Sequence, residues 1–321
     1  MLSIESSPCE GSGSADSLSD EATQAQLEAI ESAIKATSPL VSPIICLSTL
    51  DEDFSGHAVY LQKLNLLKEK YSGIRRLRRD GNCFYRAFGF AYIEYLLTGK
   101  RLKEAALLKR RCDECRDTLL QLGYTQFTVE DFHEQFTGMV DQFTVEGGSL
   151  EELEETFNNQ GYSDYYVVFL RLLVSAFMQK HASFYANFVD EDKTITRFCE
   201  TEVEPMGRET DNIHVAALAL AVRCPIAVEN CQQSGDLQRI EFPAEAPNLA
   251  SDIPPPSSDK QQSSPESCAL APPEGDEQNN GTKDVQQPSN SSPVPLEPPV
   301  TLLYRPGHYD ILYPKAKTEI R

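Results

Sequence analysis

No apolar run in the 321 residues approaches the roughly 20 that a membrane-spanning helix needs, and the richest pieces are short, such as Val215 to Val222. The first thirty residues show none of the basic, then apolar, then small-residue order of a secretion signal. Positive charge is scarce. Against 49 Asp and Glu stand 29 Lys and Arg, giving a net charge of -20. A field of that sign repels phosphate backbones and anionic lipid surfaces, so neither nucleic acid nor a membrane is expected as a partner. Basic protein surfaces or neutral substrates suit it better. Histidine is limited to five residues, which keeps any search for a general base short. The nine cysteines are odd in number and scattered from Cys9 to Cys268. Without a secretion signal, they predict reduced thiols and a cytoplasmic, or also nuclear, protein.

Composition then divides the chain. From Met1 to about Asp20 the residues are mainly Ser, Glu, Asp and Gly, with too little apolar content to offset the entropy of ordering them. Glu21 to Lys35 places Leu27, Ile30, Ala33 and Ile34 at helical spacing, so residues 1–45 are expected to form a flexible acidic tail with a helical arm. Between Phe242 and Tyr304 there is no aromatic residue, and 13 of the 20 prolines lie from Pro243 to Pro299. That composition predicts a disordered insert at about 243–298, interrupting a domain that spans 46–321. The segments beside it, Leu237 to Phe242 and Thr301 to Tyr304, are expected to pair as a hairpin with the insert at its tip.

Helical patterns run from Gly56 to Tyr71 and from Cys83 to Leu97. Further start marks stand at Thr128 with Asp131, Ser149 with Glu152, and Ser163 before the apolar stretch Asp164 to Met178. Asp211 to Val222 reads as another helix. Strand candidates follow at Pro225 to Glu229, Leu237 to Phe242, Thr301 to Tyr304 and Tyr309 to Tyr313, so helices precede strands and the class is α+β.

Chemistry concentrates at two places. Ile74 to Gly81 reads as extended or turn-like, and Asp80-Gly81 marks a turn just before Cys83, which puts that thiol at a helix N-terminus. The positive end of the helix dipole and free N–H groups there favour a thiolate. The N–H groups of Cys83 and of the turn from Asp80 to Asn82 could also meet a developing oxyanion. A nucleophilic thiol needs an imidazole, and His308 in Arg305-Pro306-Gly307-His308-Tyr309-Asp310 is placed between two short strands. Asp310 is two residues along and points to the same face, so it can orient the ring.

The segment Asp80-Gly81-Asn82-Cys83-Phe84-Tyr85-Arg86-Ala87-Phe88 resembles the nucleophile motif of the ovarian-tumour cysteine proteases. Tyr71 to Ile74, Gln126 to Phe132, Ser163 to Leu172, Val203 to Met206 and Leu302 to Tyr313 are similar in order and spacing to the otubains within that group. The resemblance spans roughly residues 57 to 313. It implies a papain-like α+β fold with a helical subdomain on a small, mostly antiparallel sheet, and no metal or other cofactor. By the same resemblance Cys83 is the nucleophile, His308 the general base and Asp310 the residue that orients it, while Asp80 is the acidic residue of the nucleophile motif. Implied partners are ubiquitin and polyubiquitin chains, with ubiquitin-conjugating enzymes as further candidates. The implied reaction is hydrolysis of the isopeptide bond after ubiquitin's C-terminal glycine, with a preference for lysine-forty-eight linkage. Two departures stand out: the insert is much longer than a compact otubain needs, and Asn212 occupies a position where the family segment carries a further histidine.

Alternatives remain in other classes. The chain could act chiefly as a non-catalytic regulator that binds ubiquitin and a ubiquitin-conjugating enzyme, or hydrolyse another ubiquitin-like modifier. Cys112 and Cys115 form a lone CxxC without a second pair at zinc spacing, which reads as helix core. His214 reads as a core histidine, and Glu204 to Asp211 as a solvated connection first and a partner surface second. Arg75, Arg76, Arg78 and Arg79 lack a surrounding basic field, so they are expected to pair with nearby carboxylates or with an acidic group on a bound protein.

Overall fold

A computed structural model describes residues 38–190, 193–245 and 297–315, together with the isolated helical positions Thr23, Ala25, Gln26, Ala29, Ser32 and Ala33. The rest of the expected helical arm and nearly all of the expected insert lie outside the described residues. The body of the protein comprises 1–246 and 298–321, while 247–297 forms a separate unit.

Five strands make one sheet: β1 (Tyr71–Arg75), β2 (Ile226–Asn230), β3 (Gln238–Phe242), β4 (Val300–Arg305) and β5 (His308–Pro314), in the order β1-β5-β4-β2-β3. All pairings are antiparallel except β2 with β4. The fold is therefore α+β as expected, but strands do not simply follow helices, because β1 precedes the helical block and closes the sheet beside β5. The hairpin expected across the insert does not form. β3 and β4 flank β2 on opposite sides, with Phe242 and Val300 both opposite Ile226. The sheet instead gains a β4–β5 hairpin through Pro306-Gly307, in which proline presets the first central position and Gly307 takes φ +71° at the second.

Alternation along the strands gives the sheet two buried faces. Leu302 and Ile311 join the larger core, and their neighbours Leu303 and Leu312 join a smaller one with Leu47, Leu50, Leu64 and Leu67. The smaller core lies under α1 (Ala58–Lys70). The larger one surrounds α2 (Cys83–Thr98), whose sequence is apolar nearly all round and whose residues are mostly buried, packed among α3 (Leu102–Gln121), α4 (Gln126–Thr144), α5 (Leu150–Asn158), α6 (Gln160–Lys180) and α7 (Asn212–Val222).

Two start marks misplace their helices. α4 begins at Gln126 rather than at Thr128, and α6 is capped by Asn159, whose side chain accepts from the N–H groups of Gly161 and Tyr162. Ser163 is buried inside α6, where its hydroxyl meets Arg86. The box at Ser149 and Glu152 forms as expected.

The body also begins before residue 45. Ser42 N donates to Arg76 O and Ile45 N to Ile74 O, each at 2.9 Å, and Arg78 N donates to Leu40 O at 3.1 Å. Residues 40–45 therefore cover the outer edge of β1, with Leu40 and Val41 buried.

Arg75 is 1% exposed and ties this edge to the helices. Its guanidinium reaches Glu94 at 3.2 Å, Glu154 at 2.6 Å, the Ser42 carbonyl at 3.0 Å and the Tyr313 hydroxyl at 2.8 Å. Substituting Arg75→Ala leaves the buried Glu94 without its cation, so a loss of about 3–5 kcal/mol is expected in urea unfolding.

Candidate active site

The chain enters the site from β1 through a turn that only a particular sequence can make. Gly81 has φ +71°, and a Cβ there would lie 2.0 Å from the Gly207 carbonyl oxygen, so a side chain is excluded on both counts. Asp80 shapes the turn. One carboxylate oxygen accepts from Asn82 N at 2.9 Å and the other from Arg86 at 2.7 Å. Arg86, fully buried on α2, also reaches Ser163 and Asp164 on α6. Asp80 is thus bound up in holding the turn. Asn82 N–H is spent on it, which leaves the N–H groups of Gly81 and Cys83 as the donors for an oxyanion among the described residues.

Cys83 is the first residue of α2 and 5% exposed. Its sulfur accepts from Tyr309 N at 3.4 Å, so the thiol lies against the start of β5, beside His308. The two motifs, more than two hundred residues apart in the chain, therefore meet in one corner. His308 Nε2 and Asp310 Oδ1 are 2.8 Å apart. That same carboxylate accepts from Leu77 N at 2.9 Å and pairs with Arg305. Since a carboxylate accepts, His308 carries a proton on Nε2 and turns Nδ1 away from Asp310. Nδ1 is buried and has no hydrogen-bond partner among the described residues.

The expectation of a stabilised thiolate is overturned. Burial pushes the Cys83 thiol up to about 11, and the Asp80 and Asp310 carboxylates add to it, outweighing the Tyr309 N–H and Arg86, which act the other way. A helix N-terminus contributes about 1 kcal/mol at such a position, less than the loss of hydration around a sulfur that is nearly sealed from water. Asp310 moves in the other direction. Burial opposes its charge, yet the bonds from His308, Arg305 and Leu77 N–H together hold its carboxyl below the usual range.

Arg171 is a component that spacing did not reveal. It is 1% exposed and donates to the carbonyls of Gly81, Val203 and Arg208 and to Asn82 Oδ1, at 2.8–3.0 Å. Gly207 N adds a bond to the same Asn82 oxygen at 2.8 Å. Glu204 to Asp211, expected to be a solvated connection, is largely exposed and is also pinned over the nucleophile turn by these bonds, and Tyr309 OH reaches Thr210 O from β5. The signal was a lone cation inside the apolar run Asp164 to Met178. Beside this loop opens a groove of about 700 Å³ lined by residues including Asp80, Asn82, Phe132, Tyr165, Met206 and Gly207.

His214 is a core residue, as expected: it is 3% exposed, burial lowers its pKa, and its Nδ1 accepts from Asp211 N. Cys112 and Cys115 are buried in α3. Of the arginine cluster, Arg75 and Arg76 pair with carboxylates, Arg78 binds Ser38 O and Gln160, and Arg79 is exposed.

A family model described as Peptidase C65 Otubain matches residues 33–314. The chain is an otubain. This otubain is 37% identical over 295 residues to a human protein named ubiquitin thioesterase OTUB1, covering 92% of the chain and 90% of the relative. It is 35% identical over 280 residues to ovarian tumor domain-containing deubiquitinating enzyme 1 of Arabidopsis thaliana, covering 85% and 80%. Among solved structures, a complex titled h/ceOTUB1-ubiquitin aldehyde-UBC13~Ub superposes with a TM-score of 0.72 at 28% identity, over 92% of the otubain and 99% of the matched chain.

The buried thiol makes a measurable prediction. With the Cys83 pKa raised, the thiolate is a small minority at pH 7 and grows with pH. Iodoacetamide labelling of Cys83 in the free protein, followed by mass spectrometry, is expected to rise about tenfold per unit between pH 7 and 9. A plateau already present near pH 7 would contradict it.

Proposed function

We propose that this otubain hydrolyses the isopeptide bond after the C-terminal glycine of ubiquitin, with Cys83 as nucleophile, His308 as general base and Asp310 as its orienting partner. Membership of a cysteine peptidase family supports the deubiquitinase activity. The observation that carries the residue roles is the corner in which the Cys83 sulfur touches Tyr309 N while His308, bonded through Nε2 to Asp310, leaves Nδ1 unengaged.

His308 Nδ1 takes the proton from Cys83, and the thiolate attacks the glycine carbonyl carbon. The Gly81 and Cys83 N–H groups receive the oxyanion. His308 then returns the proton to the lysine amine as the C–N bond breaks, leaving a thioester. A water deprotonated by the same ring releases the ubiquitin carboxylate and restores the thiol. In the free protein Nδ1 and the sulfur share no hydrogen bond and the thiol is protonated, so substrate must draw the two together.

Lysine-forty-eight linkage is the expected preference, supported by the resemblance to otubains. Binding of a ubiquitin-conjugating enzyme is the second reading. It is supported by the UBC13~Ub and UBCH5B~Ub partners in the titles of the OTUB1 complexes that superpose on this chain. A reducing cytoplasmic or nuclear setting fits the described cysteines, all of them free thiols.

Incubation with each linkage type of diubiquitin tests the reading. Cleavage is expected, fastest for the lysine-forty-eight dimer and abolished in Cys83→Ser; normal cleavage by that variant would end the mechanism. Deleting residues 1–37, which spares the strand-covering segment, is expected to weaken inhibition of a conjugating enzyme while leaving cleavage intact. Asp310→Asn keeps the oxygen that serves His308 and Leu77 but leaves Arg305 with only the longer contact to Asp53. It is expected to lose about 1.5–3 kcal/mol of stability in denaturant unfolding while keeping kcat within about tenfold. Asp310→Ala is expected to lose more than about a hundredfold in kcat.

A further inference from the structure

A second cavity, of about 310 Å³, shares Arg78 and Arg79 with the larger groove but opens on His308 rather than on Asn82. Four of its lining residues are arginines (Arg76, Arg78, Arg79 and Arg305), and Asp53 is the one carboxylate among its described lining. On a chain of net charge -20 this is a concentrated region of the opposite sign.

The pairing inside it is incomplete. Asp53 serves Arg76 at 2.6 Å and Arg305 at 3.8 Å, and Arg305 also holds Asp310. Asp80 and Asp164, which also act on Arg78, are held by Arg86. Arg79 is exposed and makes no bond or ion pair among the described residues. Two side chains more than nine-tenths buried carry orphaned polar atoms here, Nε of Arg305 and Nδ1 of His308, and Arg76 Nε is a third buried atom without a partner. An unpartnered buried polar atom is costly, so such atoms commonly mark a site completed by a ligand.

We propose that this cavity binds a small tetrahedral oxyanion, phosphate or sulfate, held by Arg76, Arg79 and Arg305 and by a hydrogen bond from protonated His308 Nδ1. Guanidinium forks suit the oxygen spacing of such an anion, and more than one can converge on it. The occupant has a consequence for catalysis, which rests on the deubiquitinase reading. The Nδ1 atom that would accept the Cys83 proton is then already protonated and engaged, so the bound anion inhibits. Binding itself does not depend on that reading.

The test titrates the full-length protein with inorganic phosphate against chloride at matched ionic strength, following heat release and the His308 ring resonances. Saturable binding is expected, displaced by sulfate, with the His308 signals following the same isotherm. Arg79→Gln and Arg76→Gln are each expected to weaken it about tenfold, and phosphate should inhibit diubiquitin cleavage over the same range, measured against each variant's own uninhibited rate. A response no larger than that to chloride overturns the site, as does binding that leaves His308 unmoved or ignores both substitutions. A protein that binds phosphate in this way but cleaves no ubiquitin substrate keeps the anion site and removes the deubiquitinase reading. One that cleaves diubiquitin and ignores phosphate does the reverse.

Discussion

The carboxylate of Asp310, fully buried, ties together three parts of the molecule. One oxygen receives Leu77 N–H, just ahead of the nucleophile turn, and His308 Nε2; the other receives Arg305 from the neighbouring strand. A charge taken wholly out of water costs several kcal/mol unless it is paired and its lone pairs are filled. Here both conditions hold, and the group stays ionised. The cost and its compensation fix geometry as well as energy, because the ring can rotate only by giving up the bond that keeps the carboxylate satisfied. Remove the carboxylate and the imidazole loses its tautomer, Arg305 its partner and Leu77 its acceptor together.

Around that anchor the nucleophile turn is clamped from the opposite side. Arg171 draws four oxygens from three segments toward one guanidinium, and Asn82 gives up the usual helix-capping role to receive Arg171 and Gly207 N. The peptide that carries Cys83 N–H is held on its carbonyl side, where Asn82 O accepts from Arg86 N, so that donor cannot swing away from a substrate. The tight packing that gives this order also seals the sulfur from water, which is why resting reactivity and pre-formed oxyanion donors are opposed in the same turn.

Much of this was legible in the residues. A turn dipeptide before a three-to-four-residue apolar rhythm put Cys83 at the start of a helix, and period-two geometry put His308 and Asp310 on one face. Other features depend on neighbours distant in the chain. The order of the strands follows from which apolar faces meet, so the segments beside the insert gave no sign that β2 would come between them. Thr128 and Ser163 each offer a capping side chain, but the chain turns helical a few residues earlier, at Gln126 and Gln160, where Asn159 supplies the cap of the second helix. The direction of the thiol shift is hidden for a similar reason: the helix end is local and visible in sequence, whereas burial of the sulfur arises only when the chain folds.

The strand order leaves one join unusually free. Phe242 and Val300 stand on either side of Ile226, two strand spacings or roughly 10 Å apart, a gap that three or four extended residues can close. Every residue beyond those few is surplus to the sheet, and loop-closure entropy grows only logarithmically, by about 0.6 kcal/mol for each doubling in length. Evolution can therefore lengthen or shorten this crossing with little thermodynamic penalty, and a foreign domain with closely spaced termini could be spliced there without disturbing the register of any strand.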